Sequence, residues 1–217
     1  MKLLNTPTMR RMPTYLHRLY QLRQNAVEWV SCAELAEYMD IPHIVVRKDI
    51  AMTGLRGNKR HGFRVNELIE AILRFVGWDK DISATLVGAG SLGTALLGFT
   101  DFQSYNFRIE SVFDSSKEKI GREIRGFKVY DLQEIGERLA THIPKVGVIC
   151  VPTAHAQEVA DILVGLGIRY LWNFSNVCLT VPQDVIVQRE VIAGGLAVLS
   201  AKIKKAESGE DTEESEC

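Results

Sequence analysis

The pattern of apolar and polar residues divides the chain into two regions. Up to about residue 78 the apolar residues recur at helical spacing, whereas from Ile82 onward short apolar runs alternate with helical patterns. That alternation is the order required by a parallel sheet with helices on its faces. The predicted strands cover residues 82–87, 108–113, 127–129, 146–151, 169–174 and 185–187, and predicted helices cover residues 131–139, 155–165 and 191–206.

A glycine motif follows the first of these strands. Gly88, Gly90 and Gly93 have the spacing G-x-G-x-x-G and lie between the apolar run 82–87 and an apolar helical start. In that context Gly88 permits a tight turn, Gly90 lets the backbone approach a pyrophosphate, and Gly93 lets the helix pack close to the strand. The unpaired N–H groups at the helix start would hold the anion. The motif predicts dinucleotide binding, and an ordinary tight turn is the alternative.

An acidic residue ends the second predicted strand. Asp114 lies 21 residues after Gly93, where a carboxylate can accept hydrogen bonds from an adenosine ribose and repel a 2′-phosphate. This favours NAD over NADP, although the residues Ser115, Ser116 and Lys117 would also suit a phosphate. A turn residue at the strand end is the alternative interpretation of Asp114.

Two later strand ends are predicted to meet the glycine motif. The segments 151–153 and 173–175 should lie at the carboxyl edge of the sheet, where such folds bind ligands. His155 is near that edge, and we interpret it as a helix-start residue rather than as an acid–base catalyst.

The first third of the chain has the pattern of a helix-turn-helix with a wing. Helices are predicted from Pro13 to Asn25, from Ala33 to Met39 and from about Pro42, and residues 31–34 have the S-x-x-E form of a capping box. The segment 54–63 carries three glycines around a basic tip, which predicts a hairpin. The third helix would enter the major groove of DNA. A small helical domain whose basic residues are only surface charges is the alternative.

Charge is distributed unevenly along the chain of 217 residues, whose net charge is −1. Residues 1–80 carry 13 Lys and Arg against 8 Asp and Glu, which suggests a polyanionic partner but equally suits a solvated helix face. The last twelve residues carry six acids and no base, and we predict a disordered acidic tail over residues 207–217. The four cysteines have no C-x-x-C spacing, so we expect no metal site. The sequence also has no signal-peptide pattern and no apolar run of membrane length, which together with the few cysteines favours a cytoplasmic protein.

Together these patterns predict the fold class and the domains. We expect an α/β protein in which residues 1–78 form a winged helix-turn-helix domain and residues 79–190 form a Rossmann-like parallel sheet domain. Residues 191–206 form a C-terminal helix, and its two internal glycines allow close packing against another element.

The chain also resembles the Rex family of bacterial redox-sensing transcriptional repressors, from about residue 6 to about residue 202. The motifs that carry the resemblance are Arg11-Met12-Pro13 with Tyr15, residues 31–36 (SCAELA), residues 46–49 (VRKD), residues 88–93 (GAGSLG) with 95–97, Phe113-Asp114, residues 119–121 (KIG), Val151-Pro152, residues 156–161 (AQEVAD) and Asn173-Phe174.

The resemblance implies a homodimer that senses the ratio of NADH to NAD+. NADH binding would release a near-palindromic operator, and the C-terminal helix would be exchanged between the subunits. The predicted cofactor contacts are Gly88, Ala89, Gly90, Ser91, Leu92, Gly93, Asp114, Lys119, Ile120, Val151, Pro152, Asn173 and Phe174. The predicted DNA contacts are Arg10, Arg11, His43, Arg47, Lys48, Arg56, Asn58, Lys59 and Arg60.

Several positions depart from the family pattern. The family has Asn where Ser91 stands, a different wing from residues 56–63, and Ala-Pro where Ser175-Asn176 stands. It also couples an Arg, matched by Arg11, to a Tyr and to an Asp of the partner's last helix, positions occupied here by Phe99 and Val191. Phe99 has no hydroxyl and Val191 has no charge, so we predict that this polar switch is missing.

Two other functions stay open at this stage. A dehydrogenase is one, but after the last predicted strand only a helix and a tail remain, and no Tyr-x-x-x-Lys or Cys–His pair is visible in the sequence. The other is a paralogue that binds DNA while its dinucleotide response is weak or lost. We therefore expect a regulator and no enzyme.

Overall fold

A computed structural model describes residues 6–208, which form two compact units. Residues up to Ile82 together with Thr100–Phe107 make the first unit, and Ser83–Phe99 together with the residues from Arg108 onward make the second. The segment 100–107, which the sequence pattern assigns to the second domain, therefore clusters with the first.

The segment 100–107 is held in the first unit by aromatic and hydrogen-bonding contacts. A 3-10 helix covers Thr100–Tyr105, and the Tyr105 ring stacks on Trp78 with 4.4 Å between ring centroids. The Tyr20 hydroxyl donates to the Ser104 carbonyl at 3.1 Å, and the Asn106 side-chain amide donates to the Trp78 carbonyl at 2.6 Å. These partners lie 27 or more residues away along the chain, so no local sequence pattern predicts the contacts.

Besides that 3-10 helix, the described residues of the first unit form four α-helices and a two-stranded sheet. They are α1 (Thr6–Gln24), β1 (Trp29–Val30), α2 (Cys32–Met39), α3 (His43–Met52), β2 (Phe63–Arg64) and α4 (Val65–Val76). β1 and β2 pair antiparallel, and the core includes Met12, Tyr15, Leu16, Leu19, Leu35, Val46, Ile50, Leu68 and Ile72. The helix-turn-helix interpretation of this region is confirmed.

The predicted start of the first helix is wrong, whereas the predicted capping box is confirmed. The Ser31 hydroxyl accepts from the Glu34 N–H, and the Glu34 carboxylate accepts from the Ser31 N–H. α1 begins at Thr6 and contains Pro13 in its interior rather than in its first turn. The additional turns are tied down from a distance, because the Thr8 hydroxyl donates to the Asp49 carboxylate of α3 at 2.7 Å.

The second unit is built on a seven-stranded sheet. Its strands are β3 (Ile82–Val87), β4 (Phe107–Asp114), β5 (Glu123–Ile124), β6 (Phe127–Asp131), β7 (Val146–Ile149), β8 (Tyr170–Asn173) and β9 (Ile186–Arg189), in the order β5-β6-β4-β3-β7-β8-β9. The pairs β3–β7, β4–β6, β7–β8 and β8–β9 are parallel, and the two-residue β5 pairs antiparallel with β6.

The strand order is that of the doubly wound dinucleotide-binding fold. Leaving β5 aside, the order corresponds to 3-2-1-4-5-6, and the crossover reverses between β3 and β7. Ligands of such sheets bind at this reversal, beyond the carboxyl ends of the strands. The helices of the unit are α5 (Ser91–Leu97), α6 (Ile135–Leu139), α7 (Thr153–Gly165) and α8 (Ala193–Ser208). The Rossmann-like prediction is confirmed.

The last helix has no buried residue in the single chain. Its exposed apolar side chains and those just before it are Val191, Ile192, Leu196, Val198, Leu199 and Ile203. The helix includes Glu207 and Ser208, which were predicted to begin the acidic tail, and the remainder of that tail, 209–217, lies outside the described residues. Within residues 6–208 no helix is long and apolar enough to cross a membrane.

Candidate functional site

The glycine loop between β3 and α5 leaves one open position. Gly88 has a φ of +103°, and a Cβ atom there would lie 2.6 Å from the Cys150 carbonyl oxygen. A Cβ atom on Gly93 would overlap the Gly88 carbonyl oxygen. Gly90 differs from both, because it has an extended backbone and no atom within 4 Å of its would-be Cβ. The space beside Gly90 is therefore free for a ligand rather than filled by protein.

Asp114 organises the loop from the end of β4. The residue is 7% exposed, and its carboxylate accepts from the Ala89 N–H at 2.8 Å, the Ser116 N–H at 2.8 Å and the Lys119 ammonium group at 3.0 Å. A carboxylate offers about four acceptor positions, so about one stays available for a ligand hydroxyl. The cation beside Asp114 is Lys119, whereas Lys117, which would also have suited a phosphate, is exposed and does not line the cavity described next.

A cavity of about 540 Å³ opens beside the glycine loop. Its volume is within the range of ligand pockets in proteins. The lining residues are Val87, Gly88, Gly90, Asp114, Ser115, Lys119, Leu132, Cys150, Val151, Pro152, His155, Glu158 and Val159. Burial raises the pKa of the Cys150 thiol to about 12, so this thiol stays protonated at neutral pH.

The cavity brings together six of the predicted cofactor residues. They are Gly88, Gly90, Asp114, Lys119, Val151 and Pro152. The predicted residues that do not line it are Ala89, Ser91, Leu92, Gly93, Ile120, Asn173 and Phe174.

Asn173 makes hydrogen bonds within the loop that follows β8. The backbone N–H and the hydroxyl of Ser175 both donate to its side-chain oxygen, and its amide donates to the Val177 carbonyl at 3.0 Å. This fully buried side chain therefore shapes the loop that follows β8.

Sequence reasoning missed several wall residues of the cavity. Leu132 follows β6, while Glu158 and Val159 come from the first turns of α7. His155, the third residue of α7, also lines the cavity, and its ring lies 4.0 Å from the Glu158 carboxylate. The spacing of Pro152, His155 and Val159 at three and four residues is the signal that could have identified this wall, because such residues share a helix face.

A second concave surface lies in the first unit between α3 and the wing. Its volume is about 540 Å³, and its lining includes His43, Arg47, Asn58, Lys59 and Arg60, five of the predicted DNA contacts. The wing is closed by paired backbone hydrogen bonds between Asn58 and Gly62, at 2.6 and 2.9 Å. The Asn58 side chain accepts from the Arg60 and His61 N–H groups, so it holds the exposed basic tip in place.

The remaining predicted DNA contacts are distributed differently. Arg10, Lys48 and Arg56 are exposed but do not line this surface. The Arg11 guanidinium donates to both carboxylate oxygens of Asp49, at 2.6 and 2.8 Å. That hydrogen bonding raises the pKa of Arg11, and the guanidinium charge is paired with the Asp49 carboxylate inside the first unit.

Two family models match separate parts of the chain. Residues 79–177 match a model described as CoA binding domain, and residues 5–51 match a model for the N-terminus of DNA-binding proteins. The redox-sensing transcriptional repressor Rex of Treponema denticola is 40% identical over 193 residues, which cover 89% of this chain and 92% of that protein. The Rex repressor of Clostridium botulinum is 33% identical over 206 residues, covering 95% and 98%.

Solved structures show the same similarity over the whole chain. The repressor RSP, a Rex-family protein in complex with β-NAD+ and operator DNA, matches with a TM-score of 0.83 at 30% identity, covering 98% of this chain and 100% of that one. RSP in complex with β-NADH matches with a TM-score of 0.81 at the same identity, covering 95% and 97%.

Proposed function

The chain belongs to the Rex family of redox-sensing transcriptional repressors, and on that premise we propose that it represses transcription by binding an operator with an affinity set by NADH and NAD+. Its relatives are named as repressors, which supports a regulator rather than an enzyme. The observation that carries the proposal is the cavity beside Gly90, which lies at the sheet reversal where dinucleotides bind. We place the protein in the cytoplasm.

The cavity residues fit the parts of a nicotinamide adenine dinucleotide. The backbone at Gly88 and Gly90 would face the pyrophosphate, because no side chain intervenes there. The remaining acceptor position of Asp114 would take a ribose hydroxyl, while Leu132, Val151 and Val159 would form apolar walls. The bound dinucleotide serves as a signal through its redox state.

The preference for NAD over NADP depends on Asp114 and Lys119 together. The carboxylate is positioned to repel a 2′-phosphate, whereas Lys119, 3.0 Å away, offsets part of its charge. We therefore propose that NADP(H) binds more weakly than NAD(H). The difference in affinity should be smaller than a carboxylate without a neighbouring cation would produce.

The partner on the DNA side would be a near-palindromic duplex bound by a homodimer. The exposed apolar side chains around α8 are the candidate contacts to a second copy, and the family resemblance implies that this helix is exchanged between subunits. Two copies of α3 would then read half-sites one or more helical turns apart. We propose that Arg11 does not contact the DNA, because its guanidinium donates to Asp49.

We expect an operator titration to show NADH binding with weak coupling to DNA. Phe99 and Val191 lack the hydroxyl and the charge of the expected switch, and Arg11 is already paired with Asp49. Coupling free energies in allosteric proteins usually change affinity about 5- to 150-fold, and we expect a change at or below about fivefold here. The measurement is duplex binding with saturating NADH, NAD+ or NADPH, with nicotinamide fluorescence reporting occupancy.

The outcomes of this titration are distinct. Release of the operator by a factor well above fivefold would contradict the weak coupling but support the repressor. A protein that binds duplex but no nicotinamide dinucleotide would be a paralogue with a lost sensor. Binding of neither ligand would overturn the proposed function.

We expect Arg47→Ala and Lys48→Ala each to weaken operator binding about tenfold and to leave NADH binding unchanged. Both side chains are exposed on α3, where they can neutralise phosphates or contact base edges. Loss of one phosphate contact should also reduce the slope of log affinity against log salt by about 1. Arg74→Ala is the matched control, because Arg74 is an exposed arginine on α4 paired with Glu70. Unchanged operator affinity in both variants would contradict the assignment, whereas equal loss of DNA and NADH binding would indicate misfolding.

A further inference from the structure

The exposed arc of α3 has an apolar centre. An α-helix turns about 100° per residue, so its exposed residues follow one another around the axis in an arc of about 180°. In angular order they are His43, Arg47, Ala51, Ile44, Lys48 and Met52. The opposite side carries the buried residues Val46, Asp49 and Ile50. Ala51 and Ile44 therefore lie at the centre of the arc, and the two basic residues flank them.

Ile44 is unusual among the apolar side chains of the first unit. It is 53% exposed, and within the described residues of that unit the other exposed large apolar side chains, Val27, Tyr38 and Met52, reach 42% or less. It is also the second residue of α3, and the first residues of a recognition helix are those that meet base edges. Ile44 therefore lies in the middle of the exposed arc of α3, which would enter the major groove under the proposed function.

We propose that Ile44 reads a thymine in each half-site of the operator by contacting its 5-methyl group. This inference rests on the proposed function. Thymine presents a methyl group in the major groove, and apolar side chains recognise it there. Cytosine presents an amino donor at the neighbouring position, and an isoleucine lying over that donor would leave it without an acceptor. Arg47 and Lys48, on either side of Ile44, anchor the helix through phosphates or guanine edges and so bring the side chain down onto the base pair.

The test removes the methyl group from the DNA. A duplex is first selected from a randomised pool with the full-length wild-type protein, and its thymines are then replaced one at a time by deoxyuridine, which lacks only the 5-methyl group. At one thymine in each half-site the wild type should bind the deoxyuridine duplex about fourfold more weakly, the effect of one buried methyl group. Ile44→Ala should bind the two duplexes equally. Val27→Ala, which truncates an exposed apolar side chain outside α3, should keep the fourfold ratio.

Failure of this inference can be told from failure of the proposed function. If deoxyuridine is tolerated at every thymine by the wild type, or if Ile44→Ala keeps the wild-type sensitivity, Ile44 does not read a methyl group while operator binding itself stands. If no duplex is selected or bound, the operator-binding function fails and the inference fails with it. Unchanged NADH binding and thermal unfolding of Ile44→Ala would show that the exposed substitution preserves the fold.

Discussion

Gly90→Ala is expected to weaken NADH binding about 10- to 100-fold while leaving thermal unfolding unchanged. The protein itself tolerates a methyl group at this position, because the backbone is extended and no atom lies within 4 Å of the would-be Cβ. The same methyl group would enter the space that a pyrophosphate needs, and overpacking a filled site by one methyl costs about 1–3 kcal/mol. The measurement is NADH affinity by nicotinamide fluorescence, together with a melting curve of the unliganded protein.

Two further glycine variants make this result specific. Gly93→Ala should lower both stability and NADH affinity, because its Cβ would overlap the Gly88 carbonyl oxygen and separate α5 from β3. Gly165→Ala should leave NADH affinity unchanged and raise stability by up to about 1 kcal/mol, since Gly165 is helical and no atom lies within 4 Å of its would-be Cβ. Full NADH affinity in Gly90→Ala would show that the dinucleotide is not bound at this loop.

The sequence predicted the local features of this protein better than its long-range contacts. The G-x-G-x-x-G spacing between a strand and a helix, and the S-x-x-E capping box, are encoded within a few residues and were identified from them. The start of α1 and the placement of Thr100–Phe107 depend on partners 27 or more residues away, which no local pattern specifies.

The candidate cofactor site also combines residues that the sequence predicted with contacts that it did not. The glycines, Asp114 and the Val151-Pro152 segment were predicted because their chemistry and spacing are characteristic of the fold. The cation beside Asp114 could not be chosen from sequence, because Lys117 and Lys119 both lie within five residues of it. Only the turn after β4 brings Lys119 to the carboxylate and leaves Lys117 exposed. Asn173 was predicted as a ligand contact from its place at a strand end and in the family motif, and its hydrogen bonds to the following loop could not be predicted from the sequence.

The second large effect is expected at Asp49, the buried carboxylate of α3. It is 2% exposed and accepts from the Thr8 hydroxyl, the Arg11 guanidinium and the Tyr15 hydroxyl, which join α1 to α3. Burial alone would raise the pKa of Asp49, but the hydrogen bonds from Arg11, Thr8 and Tyr15 outweigh it and hold the pKa below its usual value. Burial also raises the pKa of Tyr15, so its hydroxyl stays protonated and donates.

Asp49→Ala should lower the free energy of unfolding by about 3–5 kcal/mol, because it leaves the Arg11 charge and the Tyr15 hydroxyl without their acceptor. Asp184→Ala is the matched control. Asp184 also accepts from an arginine, Arg169, at 2.8 Å, but it is 66% exposed, and such surface pairs contribute about 0–1 kcal/mol. Denaturant unfolding followed by circular dichroism compares the two variants, and equal losses would contradict a structural role for the buried cluster.

The pH dependence of the same cluster gives an independent check. Because folding lowers the pKa of Asp49, its contribution is complete above the unfolded-state pKa of about 3.9 and is lost as pH falls through the lower folded-state value. Wild type should therefore exceed Asp49→Asn in stability by a constant margin from neutral pH down to about pH 5, and the margin should shrink below about pH 4. A margin that persists undiminished in stronger acid, or that grows there, would show that the ionised carboxylate does not stabilise the contact between α1 and α3.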